Sequence, residues 1–162
     1  MTAAGPSRKS AFFGLFVGLA LVLGGAALRA ATTERVVADP GTWIALYGFD
    51  PVTYFTESEP ALGRPEVEYR FAGVTWRFRN EGNRAAFAAD PDVYMPRFGG
   101  YDPLGVARGV ASPGYPQLWL RRENAVYLFH KAETRAAFAA DPQGSLQAAE
   151  GRWPAVMQGL VP

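Results

Sequence analysis

The sequence predicts an α+β domain built of two hairpin–helix repeats and preceded by one N-terminal transmembrane helix. Three observations carry that prediction. The octapeptide R-A-A-F-A-A-D-P stands at 84–91 and again at 135–142, an offset of 135 − 84 = 51 residues. An identical octapeptide at a fixed offset marks one unit used twice. Upstream of each copy lies an alternating apolar stretch, in which Trp76 matches Tyr127 and Phe78 matches Phe129 at the same offset. Near the N-terminus, finally, an uncharged apolar run extends from Ala11 to Leu28.

Composition bounds the function. The chain has 162 residues, of which 49% are hydrophobic and 14% aromatic, enough for one domain with a core. Net charge is +1 with no long basic or acidic run, so no nucleic-acid partner is expected. There are no cysteines, which removes disulfides, zinc–thiolate sites and thiol nucleophiles together.

Taken in order, residues 1–10 carry Arg8 and Lys9 and read as a cytoplasmic N-terminus. The following 18-residue apolar run reaches roughly 27 Å as a helix, close to one hydrocarbon core. Residues 11–29 are a transmembrane anchor or a signal peptide. Leu28-Arg29-Ala30 is a poor cleavage site, and Gly24-Gly25-Ala26 would cut inside the run, which favours the uncleaved anchor. A buried helix of a soluble domain is the bland alternative. The expected location is the inner membrane, single-pass, with the folded domain in the periplasm; the alternative is secretion to the periplasm after cleavage. Residues 30–42 end in Asp39-Pro40-Gly41 and read as a linker.

The domain is expected over 43–154. Trp43–Tyr47 is a strand candidate, Gly48-Phe49-Asp50-Pro51 a turn, and Val52–Phe55 its continuation. The segment from Glu57 to Pro65 reads as a surface loop. Val67, Tyr69 and Phe71, then Val74, Trp76 and Phe78, alternate with polar residues around Ala72-Gly73, which predicts a hairpin. Asn80 is the expected cap of a helix to about Ala89, with Phe87 its anchor and Asp90-Pro91 its stop. Residues 95–116 hold four prolines and five glycines and read as a long loop, functional or simply connecting. Leu118 and Leu120 open the second hairpin, which turns at Glu123-Asn124, and the second helix ends near Ala140. A short helix from Pro142 to Trp153 and a tail at 155–162 complete the reading.

Few residues suggest chemistry. His130 is the only histidine; without cysteines it makes a poor metal site, and capping is its ordinary role. Met1, Met95 and Met157 form no cluster. Asp50 and Asp102 each precede proline in a glycine-flanked turn. Paired carboxylates can do acid–base work, but aspartate also caps its own backbone in such turns. No G-x-S-x-G, G-x-G-x-x-G or Walker motif is present. Tyr54, Tyr101 and Tyr115 offer large contact area with a polar tip. Asp50, Tyr54, Tyr101 and Asp102, with His130 at the edge, are therefore the expected recognition surface. Both 48–55 and 95–116 are read as lying outside the repeat.

Three stretches resemble the bacterial extracytoplasmic YHS domain-containing proteins. G-F-D-P-V-T-Y-F at 48–55 is similar to that family's opening motif. G-V-T-W-R-F-R-N-E-G-N-R-A-A-F-A-A-D-P-D-V-Y at 73–94 resembles its core, and F-G-G-Y-D-P-L-G-V-A-R-G at 98–109 its G-G-Y-C stretch. The resemblance covers roughly 43–154 and implies a small α+β fold. Metal-binding members carry cysteines where this chain has Arg79, Asn83 and Asp102, so their metal association does not carry over. The reading is a membrane-attached, non-catalytic binding or accessory module, without cofactor, whose partner is a protein or a small ligand. The alternatives are a copper-handling protein using His130, Asp102 and Met95, and an enzyme using Asp50 and Asp102.

Overall fold

The computed structural model describes residues 1–2 and 35–160. They form a mixed helix and strand fold containing two antiparallel two-stranded sheets. The chain enters through Val36, Val37 and Ala38, all buried. A 3-10 turn at Leu46–Gly48 leads to the short helix α1, Thr53–Thr56. Strands β1, Arg64–Phe71, and β2, Val74–Phe78, make the first hairpin. Helix α2, Glu81–Ala89, and the single turn α3, Pro91–Tyr94, close the first half. A 3-10 turn at Arg97–Gly100 and helix α4, Pro103–Ala107, open the second. Strands β3, Tyr115–Arg122, and β4, Ala125–Phe129, make its hairpin, followed by α5, Ala132–Ala140, and α6, Pro142–Gly159.

The hairpins and their helices form as the sequence predicts, for the reasons it predicts. The first hairpin turns on Ala72 and Gly73, both at positive φ, as a two-residue hairpin turn requires. Val74, Trp76 and Phe78 face inward on β2 and are buried, while Thr75 and Arg77 between them are half-exposed. Asn80 caps α2 by accepting from the Asn83 N–H at 2.8 Å. Phe87 is fully buried against Trp76 and Phe78, at ring separations of 4.8 and 5.3 Å. Burial of a phenylalanine contributes about 1.5–3 kcal/mol.

Four expectations need correction. The 30–42 linker is part of the core from Val36 to Ala38, because that segment pairs with the fold: Val37 N–H donates to Gly99 O and Leu46 N–H to Val37 O, each at 2.8 Å. Trp43–Tyr47 and Val52–Phe55 are not one bent strand. Ile44 makes only a single parallel bridge, to Thr75, and Thr53–Thr56 is helical. Asp50 holds the turn before that helix, its Oδ1 accepting from Val52 N–H at 2.9 Å and its carbonyl from the Thr53 hydroxyl. The 95–116 stretch is folded, holding a 3-10 turn and α4. The expected tail is helical to Gly159, since α6 continues through Pro154 and anchors Val156 and Leu160 in the second core. No described helix is long and apolar enough to cross a membrane; the 11–29 segment lies outside the described residues.

The repeat is longer than the octapeptide and its hairpin. Gly48-Phe49-Asp50-Pro51 corresponds to Gly100-Tyr101-Asp102-Pro103, an offset of 102 − 50 = 52. In both copies the preceding turn is left-handed: Leu46, Tyr47 and Gly48 at φ 50°, 54° and 88°, and Phe98, Gly99 and Gly100 at 55°, 62° and 87°. Both are then tied to the start of the hairpin alike. Gly63 N–H donates to Gly48 O at 2.8 Å and Gly114 N–H to Gly100 O at 3.0 Å, while Asp50 N–H donates to Ala61 O and Asp102 N–H to Ser112 O, each at 2.9 Å. Each half is thus a left-handed turn, an Asp-Pro helix, a hairpin and a helix. The elements expected to stand outside the repeat belong to it.

Candidate functional site

The two aspartates occupy equivalent places at the junction between hairpin and helix. Asp50 Oδ2 accepts from the Arg79 N–H and from the Asn83 side-chain amide, both at 2.7 Å, while Oδ1 holds Val52 N–H. Asp102 Oδ2 accepts from the His130 N–H at 2.9 Å and from the Thr134 hydroxyl. Its Oδ1 accepts from Leu104 N–H at 2.8 Å and Gly105 N–H at 3.2 Å. Arg79 and His130, like Asn83 and Thr134, are separated by the repeat offset (130 − 79 = 51 and 134 − 83 = 51). Each carboxylate therefore fastens its own Asp-Pro helix to the following strand–helix corner. Asp50 is fully buried and Asp102 is 1% exposed.

This arrangement corrects the expected recognition surface. Asp50, Tyr54, Tyr101 and Asp102 are core residues. Tyr54 is buried because its ring packs edge-on to Trp119 at 5.3 Å while its hydroxyl donates to Pro116 O at 2.9 Å. Burial pushes its phenol far above the ordinary tyrosine range. Tyr101 packs against Trp153 in the second core. His130 alone of the five is partly exposed, with Nδ1 against Pro113 O at 2.9 Å and its ring stacked on Tyr115 at 5.3 Å.

Nor do these residues gather into one centre. Arg79 and Asn83 surround Asp50, whereas Asp102 belongs with His130 and Thr134 in the other half. Four donors occupy the Asp102 carboxylate, which leaves no lone pair directed at a metal or a substrate. Met95 packs against the first core and Asp102 lies beside the second. Among the described residues no group of three histidine, cysteine or carboxylate side chains converges.

An open concavity lies elsewhere, on the seam between the halves. It is a groove of about 690 Å³. One wall is residues 54–59, the end of α1 and the loop after it; the other is Gln117, Trp119, Leu120 and Arg121 of β3, with Arg135 of α5. Arg121 holds the walls together: its Nη1 donates to Phe55 O at 3.2 Å and Tyr54 O at 3.5 Å, and its guanidinium lies 5.9 Å from the Phe55 ring centre. Glu57 is paired with Arg79 at 3.0 Å. Phe55 and Trp119 are half-buried and supply the aromatic lining.

Of the groove, only Tyr54 was legible as a candidate residue, and it contributes from beneath. Gln117, Trp119, Arg121 and Arg135 lie far in sequence from 54–59, and no local pattern brings them together. One signal was available in the repeat: Arg84 has Glu81 three residues before it, whereas Arg135 has Ala132. Comparison with protein-family models, with characterised proteins and with solved structures gives no match for this chain.

Proposed function

We propose that this protein is a non-catalytic binding module that holds a small ligand in the seam groove. The single observation carrying this reading is the division of labour among the polar groups. The two buried carboxylates are engaged in holding the fold, while Glu59 and Arg135, which make no ion pair among the described residues, line an open groove whose volume falls within the range of small-molecule sites. In this reading the domain is a YHS-like module attached to a membrane by residues 11–29, with its groove outside the cytoplasm. Acid–base work by Asp50 and Asp102 would require freeing carboxylates from buried donors, at a cost of a few kcal/mol each. Copper handling through His130, Asp102 and Met95 would need the same release at Asp102.

The test is native purification. Full-length protein and its Gln117→Trp variant are isolated from the same membranes and denatured, and the released small molecules are identified by mass spectrometry. Gln117 is exposed on the groove wall, so a tryptophan there obstructs the space without touching the core. A compound released by the wild-type protein and missing from the variant is the expected outcome. Identical release from both removes the groove reading.

A further inference from the structure

Resting on that reading, we infer that the groove recognises a small monocarboxylate bearing an aromatic or apolar group, with Arg135 as the carboxylate-binding residue. The octapeptide R-A-A-F-A-A-D-P recurs at 84–91 and 135–142. Arg84 and Arg135 occupy the same position in it, but they are used differently. Arg84 is paired with Glu81 one helical turn before it, at 2.6 Å. The equivalent of Glu81 is Ala132, and Arg135 makes no ion pair or side-chain hydrogen bond among the described residues. It is only half-exposed and lines the groove. A fold that neutralises this guanidinium in one half leaves it facing a cavity in the other.

Charge and lining narrow the ligand. The groove lining holds two positive charges, Arg121 and Arg135, and two negative ones, Glu57 and Glu59; Arg79, outside the lining, adds a third positive charge through its pair with Glu57. Glu57 is taken by Arg79, and Arg121 already donates to the carbonyls of residues 54 and 55. The balance is one positive charge, and Glu59 opposes any more highly charged anion. A single carboxylate fits that balance; a phosphate dianion does not. Guanidinium and carboxylate match as two parallel hydrogen bonds, stronger than neutral ones. Phe55 and Trp119 then offer ring faces and edges to an apolar group on the same molecule. Together they describe a small organic acid, with one charged end and one apolar end.

Phenylacetate and its neutral isostere phenylacetamide are the probes. Each is titrated into the full-length protein in detergent micelles and followed by saturation-transfer NMR. Saturable binding of phenylacetate is expected, about tenfold or more tighter than that of phenylacetamide, and weakened to a similar degree by Arg135→Gln. Arg84→Gln should leave both affinities unchanged, and Arg135→Lys should fall between wild type and Arg135→Gln because it keeps the charge and loses the fork. Melting curves verify that the Arg135 variants are folded. Equal affinities for the acid and the amide, or an Arg135→Gln protein that is folded and binds phenylacetate as before, overturn the inference; so does an absence of saturable binding. Equal affinities that are both lost in Trp119→Ala would overturn carboxylate recognition while leaving the groove as a binding site. The groove reading itself falls only to the native-purification result.

Discussion

At the scale of single residues, the two aspartates show how a catalytic-looking signal resolves into a structural one. Removal of the Asp102 side chain leaves the N–H groups of Leu104, Gly105 and His130 and the Thr134 hydroxyl without their acceptor. Unsatisfied buried donors cost about 1–3 kcal/mol each, moderated where water can enter. Asp102→Ala is therefore expected to lower unfolding free energy by about 3–5 kcal/mol, measured as a shift of the denaturation midpoint. Thr134→Val, which removes only one donor along with its share of the carboxylate, should cost far less. A near-neutral Asp102→Ala would contradict the fastening role and return the carboxylate to the list of free functional groups. Turn chemistry at Asp50 and Asp102 was legible in the sequence, since an aspartate before proline is an ordinary cap. The distant half of each hydrogen-bond set was not. The donors at residues 79, 83, 130 and 134 come from about thirty residues away, and only the fold brings them to the carboxylates.

At the scale of elements, periodicity revealed the regular pieces, and strained or short pieces escaped it. Both hairpins and both nine-residue helices follow from period-two alternation and from the Asp-Pro stops. Val52–Phe55 reads as a strand because its residues are β-branched and aromatic, yet Thr53–Thr56 is a helical turn, entered through the turn in which Asp50 accepts from Val52 N–H. The left-handed turns are harder still, since only Gly48, Gly99 and Gly100 favour that conformation. The second of them has a further demand. A Cβ on Gly99 would stand 1.9 Å from the carbonyl oxygen of Arg35, where the entering segment crosses the turn. Gly99→Ala should push residues 35–38 off the turn and cost about 2–3 kcal/mol, through overpacking and the loss of the Val37 N–H to Gly99 O bond. Hydrogen exchange gives the readout: the Val37 and Leu46 amides should lose protection first. Tyr47 occupies the equivalent place in the first half and keeps its side chain there, 39% exposed. A Gly99→Ala protein of unchanged stability and protection would mean that the entering segment is not held by the turn.

At the scale of the whole molecule, the repeat suggests two independent halves, and the packing joins them. The repeat was only partly visible in sequence because its offset changes from 52 at the Asp-Pro motifs to 51 at the hairpins, which conceals the first third of each copy. Core membership was less visible again. Val126 and Leu128 belong to the second hairpin but pack in the first core with Trp76 and Phe87, and Val37, from the entering segment, packs in the second. Leu128 is fully buried, and its side chain also lies against Gly100 and Gly114, both of which line the second half's own turn. A residue shared in this way makes neither core complete alone. Leu128→Ala opens a cavity on that shared boundary and should cost about 2–5 kcal/mol. If the halves unfold as one cooperative unit, the slowest-exchanging amides of β2 and of β4 should lose the same free energy of protection, and chemical denaturation should remain a single transition. If β4 amides lose protection while those of β2 keep theirs, the halves are separate folding units. In that case the seam carrying the groove would be an interface between two small domains, and ligand binding there would be expected to stabilise their association more than either half.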